Sequence, residues 1–311
     1  MENIYTVTLN PAVDRILYLD EFRPEVTNRL HGSRDGLGGK GTHVSLDLAQ
    51  LGVANVATGI VHGETGRQIL SMLDRDLVEV AYQHYPEQDS RTNYLIIEEN
   101  GKSTCLSSPG VQLTDEDIAS FIAFLREQLQ EGDYLVLSGD ASNCPDPFVY
   151  NRMLEALEEK HLKVFMDASG ETLKQCIRLH PYLIKPNQDE LSYLAGRELK
   201  TIQDITEAAK EIQRYEIPVI AVSLGEEGAV VFVRDEVWRV VSPKVNVRNT
   251  IGCGDCFLSG LIYGICNKLS VEETLCTAAA ISAACAESEL SVGFDKKRAE
   301  ELKNEVIIQR M

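Results

Sequence analysis

Basic charge is scarce in this sequence. Lysine and arginine number 30 against 48 aspartates and glutamates, a formal net charge of −18. An acidic surface of that size repels nucleic acid and anionic membranes, so neither is expected as a partner. Long apolar runs are missing too: no stretch approaches the ~20 residues a membrane helix needs. The opening MENIYTVTLN lacks the basic and long apolar regions of a signal peptide, so a cytoplasmic protein is expected. No linker, low-complexity segment or internal repeat divides the 311 residues. That length suits one large α/β domain, residues 1–311, whose core needs no disulfide or metal for stability.

A second Cys-x-x-Cys or Cys/His pair is also lacking. This bears on NTIGCGDCF (249–257), where Cys253 and Cys256 make one such pair. A structural zinc takes about four ligands, usually as two pairs. A thioredoxin-like pair should follow an early strand in a much smaller domain. Asp255, between the two cysteines, would oppose a thiolate. The remaining cysteines lie mostly in apolar surroundings and read as buried thiols.

What is present is a regular alternation of strand and helix patterns. IYTVTLN (4–10), ANVATGIV (54–61), YLVLSG (134–139), KVFMDAS, YLIKPN and PVIAVSLG (218–225) read as strands. Between them, HVSLDLAQLG (43–52), EDIASFIAFLREQL (116–129), PFVYNRMLEALEEKH and TIQDITEAAKEIQRY show helical spacing; Ile118, Phe121, Ile122, Leu125 and Leu129 share one face. The alternation predicts an α/β fold with a mostly parallel sheet covered on both faces and ligands at the strand C-termini. Two stretches break it. Residues 13–35 hold RILYLDEF and then polar, turn-rich sequence, and 80–107 hold VAYQHY, NYLIIEE and KSTCLS with an ENG turn, which read as antiparallel strands; together they are expected to form a small β lid over the sheet edge.

Several motifs carry chemistry. GLGGKG (36–41) follows polar NRLHGSRD, not the buried strand a dinucleotide fingerprint requires, so an oxidoreductase reading rests on weak ground. Lys40 is followed by Gly41, which excludes a Walker A loop. A glycine turn carrying Lys40 into a helix start can approach an anion; a tight turn with a solvated lysine is the plainer alternative. In KPNQDE, Asn187 can cap a helix, or Asn187 and Glu190 can stand near Mg²⁺ through water. VSLGEEG is either a plain strand connection or a nucleotide-phosphate loop. Asp14 is a turn residue or a ligand of sugar hydroxyls. GCGD at a helix start points successive amides at one spot, where the helix dipole favours negative charge, and Asp255 could accept a proton from an attacking hydroxyl.

In this order, TLNPAVD, GGKGTHVS, LSGD, MDASG, KPNQDEL, VSLGEEGA and NTIGCGDCFLSGLIYG resemble the sugar-kinase family that contains ribokinase and bacterial 1-phosphofructokinase, over nearly the whole chain. TLNPAVD and KPNQDEL resemble most the branch of 1-phosphofructokinase, tagatose-6-phosphate kinase and the minor 6-phosphofructokinase. The resemblance implies a ribokinase-like fold with a β lid, a homodimer through that lid, and ATP and Mg²⁺ as cofactors. It implies phosphorylation of a sugar phosphate, fructose 1-phosphate or tagatose 6-phosphate, to the bisphosphate. Asp255 would be the general base, with the amides of Gly252, Cys253 and Gly254 as anion hole. Asp14, Gly39, Lys40 and His43 would hold the sugar, and Arg91 the acceptor's phosphate. Lys185, Asn187, Ser223, Gly225, Glu226, Gly228 and Gly254 would line the ATP site, with Asn187 and Glu190 organising Mg²⁺.

Three positions depart from the family's pattern: His43 replaces the usual Asn, Asp140 in SGDASNC replaces a serine, and Cys253 replaces alanine. The first two leave open a kinase for an unphosphorylated sugar or nucleoside. A catalytically silent sugar-binding regulator is the reading from another class, and the intact GCGD opposes it.

Overall fold

The structure, a computed structural model, describes residues 2–139, 141–144, 146–289 and 292–311. Asp140 therefore lies outside the described residues. The first part of the chain runs β1 (Ile4–Thr8), β2 (Ala12–Leu19), β3 (Gly32–Gly38), α1 (Lys40–Gln50), β4 (Asn55–His62), α2 (Gly63–Leu73), β5 (Val78–Tyr85), β6 (Arg91–Glu98), β7 (Ser103–Leu106), α3 (Asp115–Gln128) and β8 (Tyr134–Ser138). It continues as α4 (Val149–Ala156), β9 (Lys163–Asp167), α5 (Gly170–Cys176), β10 (Leu183–Ile184), α6 (Gln188–Ala195), α7 (Ile202–Ile212), β11 (Val219–Ser223), β12 (Ala229–Val233), β13 (Glu236–Val241), α8 (Cys253–Cys266), α9 (Val271–Ala286), α10 (Lys296–Leu302) and β14 (Ile307–Arg310).

Ten strands form one sheet in the order β14-β13-β12-β11-β10-β9-β8-β1-β4-β5. From β5 to β11 all neighbours are parallel; β12, β13 and β14 add an antiparallel edge. Every residue of β1 and β8 is buried, as expected of strands covered on both faces. The period-two alternation divides β8 between two cores. Leu135 and Leu137 pack with Phe121 and Leu125 of α3 and Tyr150 and Met153 of α4. Tyr134 and Val136 pack on the other side with Val44 and Leu48 of α1 and Phe257, Leu258 and Leu261 of α8. The apolar face read in residues 116–129 is the buried face of α3, which Thr114 and Asp117 start with a reciprocal capping box.

A second sheet has the order β3-β2-β6-β7. It contains most of the expected lid, with one correction. Residues 80–85 do not belong to it: β5 pairs parallel with β4 at the edge of the large sheet. An edge strand open to solvent alternates in polarity just as a lid strand does, so the two were indistinguishable by pattern. NYLIIEE and KSTCLS do pair antiparallel, as β6 and β7, and β2 runs parallel to β6 in a register that sets Asp14 beside Asn93.

Candidate active site

The parallel strands end along one edge, and α8 begins there. Gly252 caps it at φ 83°, a left-handed conformation that a side chain would strain, and no side chain caps the helix. The first amide bonded back into the helix is that of Cys256, 2.8 Å from the Gly252 carbonyl. The Cys253 amide reaches Thr250 O at 3.4 Å; among the described residues the amides of Gly252, Gly254 and Asp255 have no backbone acceptor. The expected anion cradle is thus open at Gly252 and Gly254 and extends to Asp255, with Cys253 partly engaged.

Asp255, in this first turn, is buried, and its partner is His43. Nδ1 of His43 lies 2.8 Å from Oδ2 of Asp255, and Nε2 lies 2.8 Å from the Leu37 carbonyl. Both ring nitrogens are engaged by protein, so the ring is not the free donor to sugar that was expected. Helical spacing explains this: His43, Val44, Asp47 and Leu48 are buried positions of α1, which packs against α8. Burial alone would lower the His43 pKa. The hydrogen bond and charge of Asp255, the Leu37 carbonyl and the charge of Asp14 more than offset it and raise the pKa to about 9. Asp47, one turn further, is fully buried, and burial pushes its carboxyl up to about 7 against the opposing His43 charge and the hydrogen bonds of Cys256 and the Gly293 amide.

Both folded values lie above the ordinary ones, so both groups favour the folded state while protonated. The Asp47 contribution is present below the ordinary aspartate value of 3.8 and is lost through about 7; that of His43 is present below the ordinary histidine value of 6.5 and is lost through about 9. Stability measured by denaturant titration is therefore expected to fall between pH 7 and 9, and His43→Asn to remove that fall. A flat wild-type profile over this range would contradict it.

Beside this pair lies a residue the motif reading left without a role. Asp167, at the end of β9, is 3.2 Å from Nζ of Lys40 through Oδ1 and 3.2 Å from Nζ of Lys185 through Oδ2. Lys185 and Asp167 are almost wholly enclosed, whereas Lys40 is partly open. Burial would lower the Lys40 pKa, but the charges of Asp167, Asp255 and Glu190 outweigh it and raise it. Lys185 also overhangs the first turn of α8: its Nζ is 3.5 Å from where a Gly254 Cβ would lie. The available signal for Asp167 was an acid closing the apolar run VFM at a strand C-terminus.

Asn187 and Glu190 form a complete capping box at the start of α6, Asn187 Oδ1 accepting from the Glu190 amide and Glu190 Oε2 from the Asn187 amide, each at 2.8 Å. The plain capping reading is therefore observed. Glu190 Oε1 stays outside the box, and Asn187 bridges to Ser223. Ser223 ends β11, and residues Gly225–Glu227, Glu226 among them, form a short 3-10 turn, closed by Gly228, into antiparallel β12. The sequence motifs of both stretches meet at this strand edge.

On the small sheet, Asp14 lies within β2, not in a turn, and accepts from Asn93 Nδ2 at 2.8 Å. Arg91 opens β6, and its Nη1 reaches Ser108 O at 3.4 Å. Gly39 caps α1 at φ 109°, and a Cβ there would press on Thr8 Cγ2 at 2.9 Å; the close approach of this turn to β1 needs glycine.

The two motif cysteines are thiols. Cys253 hydrogen-bonds to Cys285, which with burial and nearby charge pushes its pKa far up. A hydrogen bond with Cys285 pulls Cys256 down, but burial and Asp47 outweigh it and the thiol rises to about 12. Neither supplies the thiolate that redox or zinc chemistry requires. The double variant Cys253→Ala, Cys256→Ser is expected to retain most turnover in any assay of the site. A loss that follows zinc content, or wild-type activity that follows redox potential, would reverse this.

Comparison with known proteins agrees with this geometry. A family model described as pfkB family carbohydrate kinase matches residues 6–295. The 1-phosphofructokinase of Bacillus subtilis (strain 168) is 32% identical over 270 residues, 87% of this chain and 88% of that protein. The 1-phosphofructokinase of Escherichia coli (strain K12) is 30% identical over 291 residues, 94% and 93% of the two chains. The solved structure of phosphofructokinase-2 from Escherichia coli in complex with fructose-6-phosphate matches with a TM-score of 0.88 at 26% identity, covering 98% of this chain and 99% of that one. With its ribokinase-like fold and these relatives, the chain belongs to the pfkB family of carbohydrate kinases.

Proposed function

We propose that this kinase transfers the γ-phosphoryl group of ATP to a hydroxyl of a sugar phosphate, fructose 1-phosphate first and tagatose 6-phosphate second, forming the bisphosphate. The observation that carries the reading is Asp255 in a helix turn with open amides, beside the Lys185 ammonium. The acceptor hydroxyl gives its proton to Asp255 as its oxygen bonds to the γ-phosphorus, and the bond from that phosphorus to the bridging oxygen breaks to release ADP. Negative charge on the moving group faces the open amides and Lys185, which need no reorganisation. Asn187, Ser223, Gly225, Glu226 and Gly228 take the nucleotide. Glu190, with Oε1 free of the capping box, and Asn187 fit a magnesium ion held through water. Bound there, Mg²⁺ would neutralise donor-phosphate charge.

Asp14 and Lys40 take the sugar and Arg91 the acceptor's phosphate; relatives named 1-phosphofructokinase favour fructose 1-phosphate. The test is ADP release across a panel of sugars and sugar phosphates. Arg91→Ala is expected to remove roughly 1.5–3 kcal/mol of charge-assisted bonding. That appears as a raised KM for the sugar phosphate, with ATP KM and the unphosphorylated sugar little affected. Equal losses for both sugars would favour an unphosphorylated acceptor instead.

The chain is also read as a homodimer through the small sheet. Tyr94 and Leu106 are 39% and 52% exposed and sit opposite each other on β6 and β7, an apolar pair that a second copy would cover. Sedimentation of Leu106→Asp tests this: an unchanged mass would remove that face from the interface. The protein is read as cytoplasmic because its donor is made there; among the described residues no helix is long and apolar enough to cross a membrane.

A further inference from the structure

The ring of His43 has no choice about where its protons go. The Leu37 carbonyl 2.8 Å from Nε2 can only accept, so Nε2 carries a hydrogen. Nδ1 is 2.8 Å from a carboxylate oxygen, so a second proton lies on the line between Nδ1 and Oδ2 of Asp255. The three groups come from α1, β3 and α8, and the two side chains are only 5% and 7% exposed, so water has little room to replace either partner. Oδ1 of Asp255 has no hydrogen-bonded protein partner among the described residues.

Resting on the reading of Asp255 as the base, we infer that His43 is a positioning residue for phosphoryl transfer: by donating from Nδ1 it holds Oδ2 of Asp255 and leaves Oδ1 as the oxygen that takes the acceptor's proton. A carboxylate free to rotate would offer either oxygen and lose the alignment on which transfer depends. The charges around the ring favour the doubly protonated form. Asp255 on α8, Asp14 on β2 and Asp47 on α1 are carboxylates that face it, and the nearest cation of its own helix is Lys40. With its pKa near 9 the ring keeps both protons at neutral pH. Once it loses one, Nε2 retains its hydrogen for Leu37, and Nδ1 turns a lone pair toward Oδ2. Attraction becomes repulsion, and the carboxylate is released.

Turnover of wild type, His43→Asn, His43→Gln and His43→Ala, measured from pH 6 to 10.5 with the best acceptor of the panel, tests this. Wild-type kcat is expected to decline above pH 9. Alanine, which has no donor, should lower kcat at pH 7.5 about 10- to 100-fold with ATP KM unchanged. Asparagine or glutamine, uncharged donors, should recover part of that loss and show no alkaline decline. Nitrogen-15 NMR of labelled histidines reads the pair without turnover: His43 should carry both protons at pH 7.5 and titrate about one unit lower, or more, in Asp255→Asn. Wild-type kcat in a folded His43→Ala, or an unchanged alkaline decline in His43→Asn, overturns the inference. If His43→Ala does not fold, the asparagine profile and the NMR titration decide. Near-normal turnover of Asp255→Asn would instead overturn the base assignment, and the NMR pairing would survive it.

Discussion

Asp255→Asn is expected to slow turnover about 10²–10⁴-fold while leaving ATP affinity nearly intact. The amide cannot take up the acceptor's proton. Its oxygen can still accept from Nδ1 of His43, so the contact between α1 and α8 survives and the fold with it. The backbone amides of residues 254 and 255 remain whatever the side chain at 255, and their electrostatic contribution accounts for the residual rate. Steady-state ADP release gives kcat, and calorimetry with a non-hydrolysable ATP analogue gives donor affinity. A variant with near-normal turnover would mean that the proton leaves by another route. A variant that no longer binds nucleotide would place Asp255 in donor binding.

Asp167→Ala is expected to produce the largest loss of stability at the site, about 3–5 kcal/mol. Asp167 is the shared counter-charge of Lys40 and Lys185, and Lys185 is too enclosed for water to take over. Removing the carboxylate strands that ammonium. Asparagine should cost less, since its carbonyl oxygen can still accept from one lysine. Two uncompensated cations also form an anion site, so sulfate or ATP should restore part of the loss. Denaturant midpoints with and without sulfate measure both effects. Stability within about 1 kcal/mol of wild type would show that the two lysines relax into solvent when the acid is removed.

The strand and helix pattern was legible because it is written in local periodicity. The apolar spacing of Ile118, Phe121 and Leu125 requires one buried helix face, and the apolar runs YLVL of β8 and VIAV of β11 require strands covered on both sides. β5 was misplaced into the lid because periodicity reports how many faces a strand buries and not which sheet it joins. GCGD was legible as a helix start, since an uncapped glycine-led turn leaves amides open wherever the helix ends up docked.

Partnership was not legible. The bond from His43 to Asp255 spans 212 residues, and that from Lys40 to Asp167 spans 127. His43 was read toward the sugar only because the family resemblance placed that position there. The docking of α1 on α8 directs its ring to the carboxylate instead, because His43 and Asp47 share the helix face that this docking buries. Cys285 likewise joined the two motif cysteines only when α9 came to rest against α8. Residue type and spacing therefore decided which elements form and where an anion can sit. Which charges share a buried volume depended on sheet order and helix docking, because only packing brings residues so far apart in the chain within the few ångströms over which a hydrogen bond or a buried charge acts.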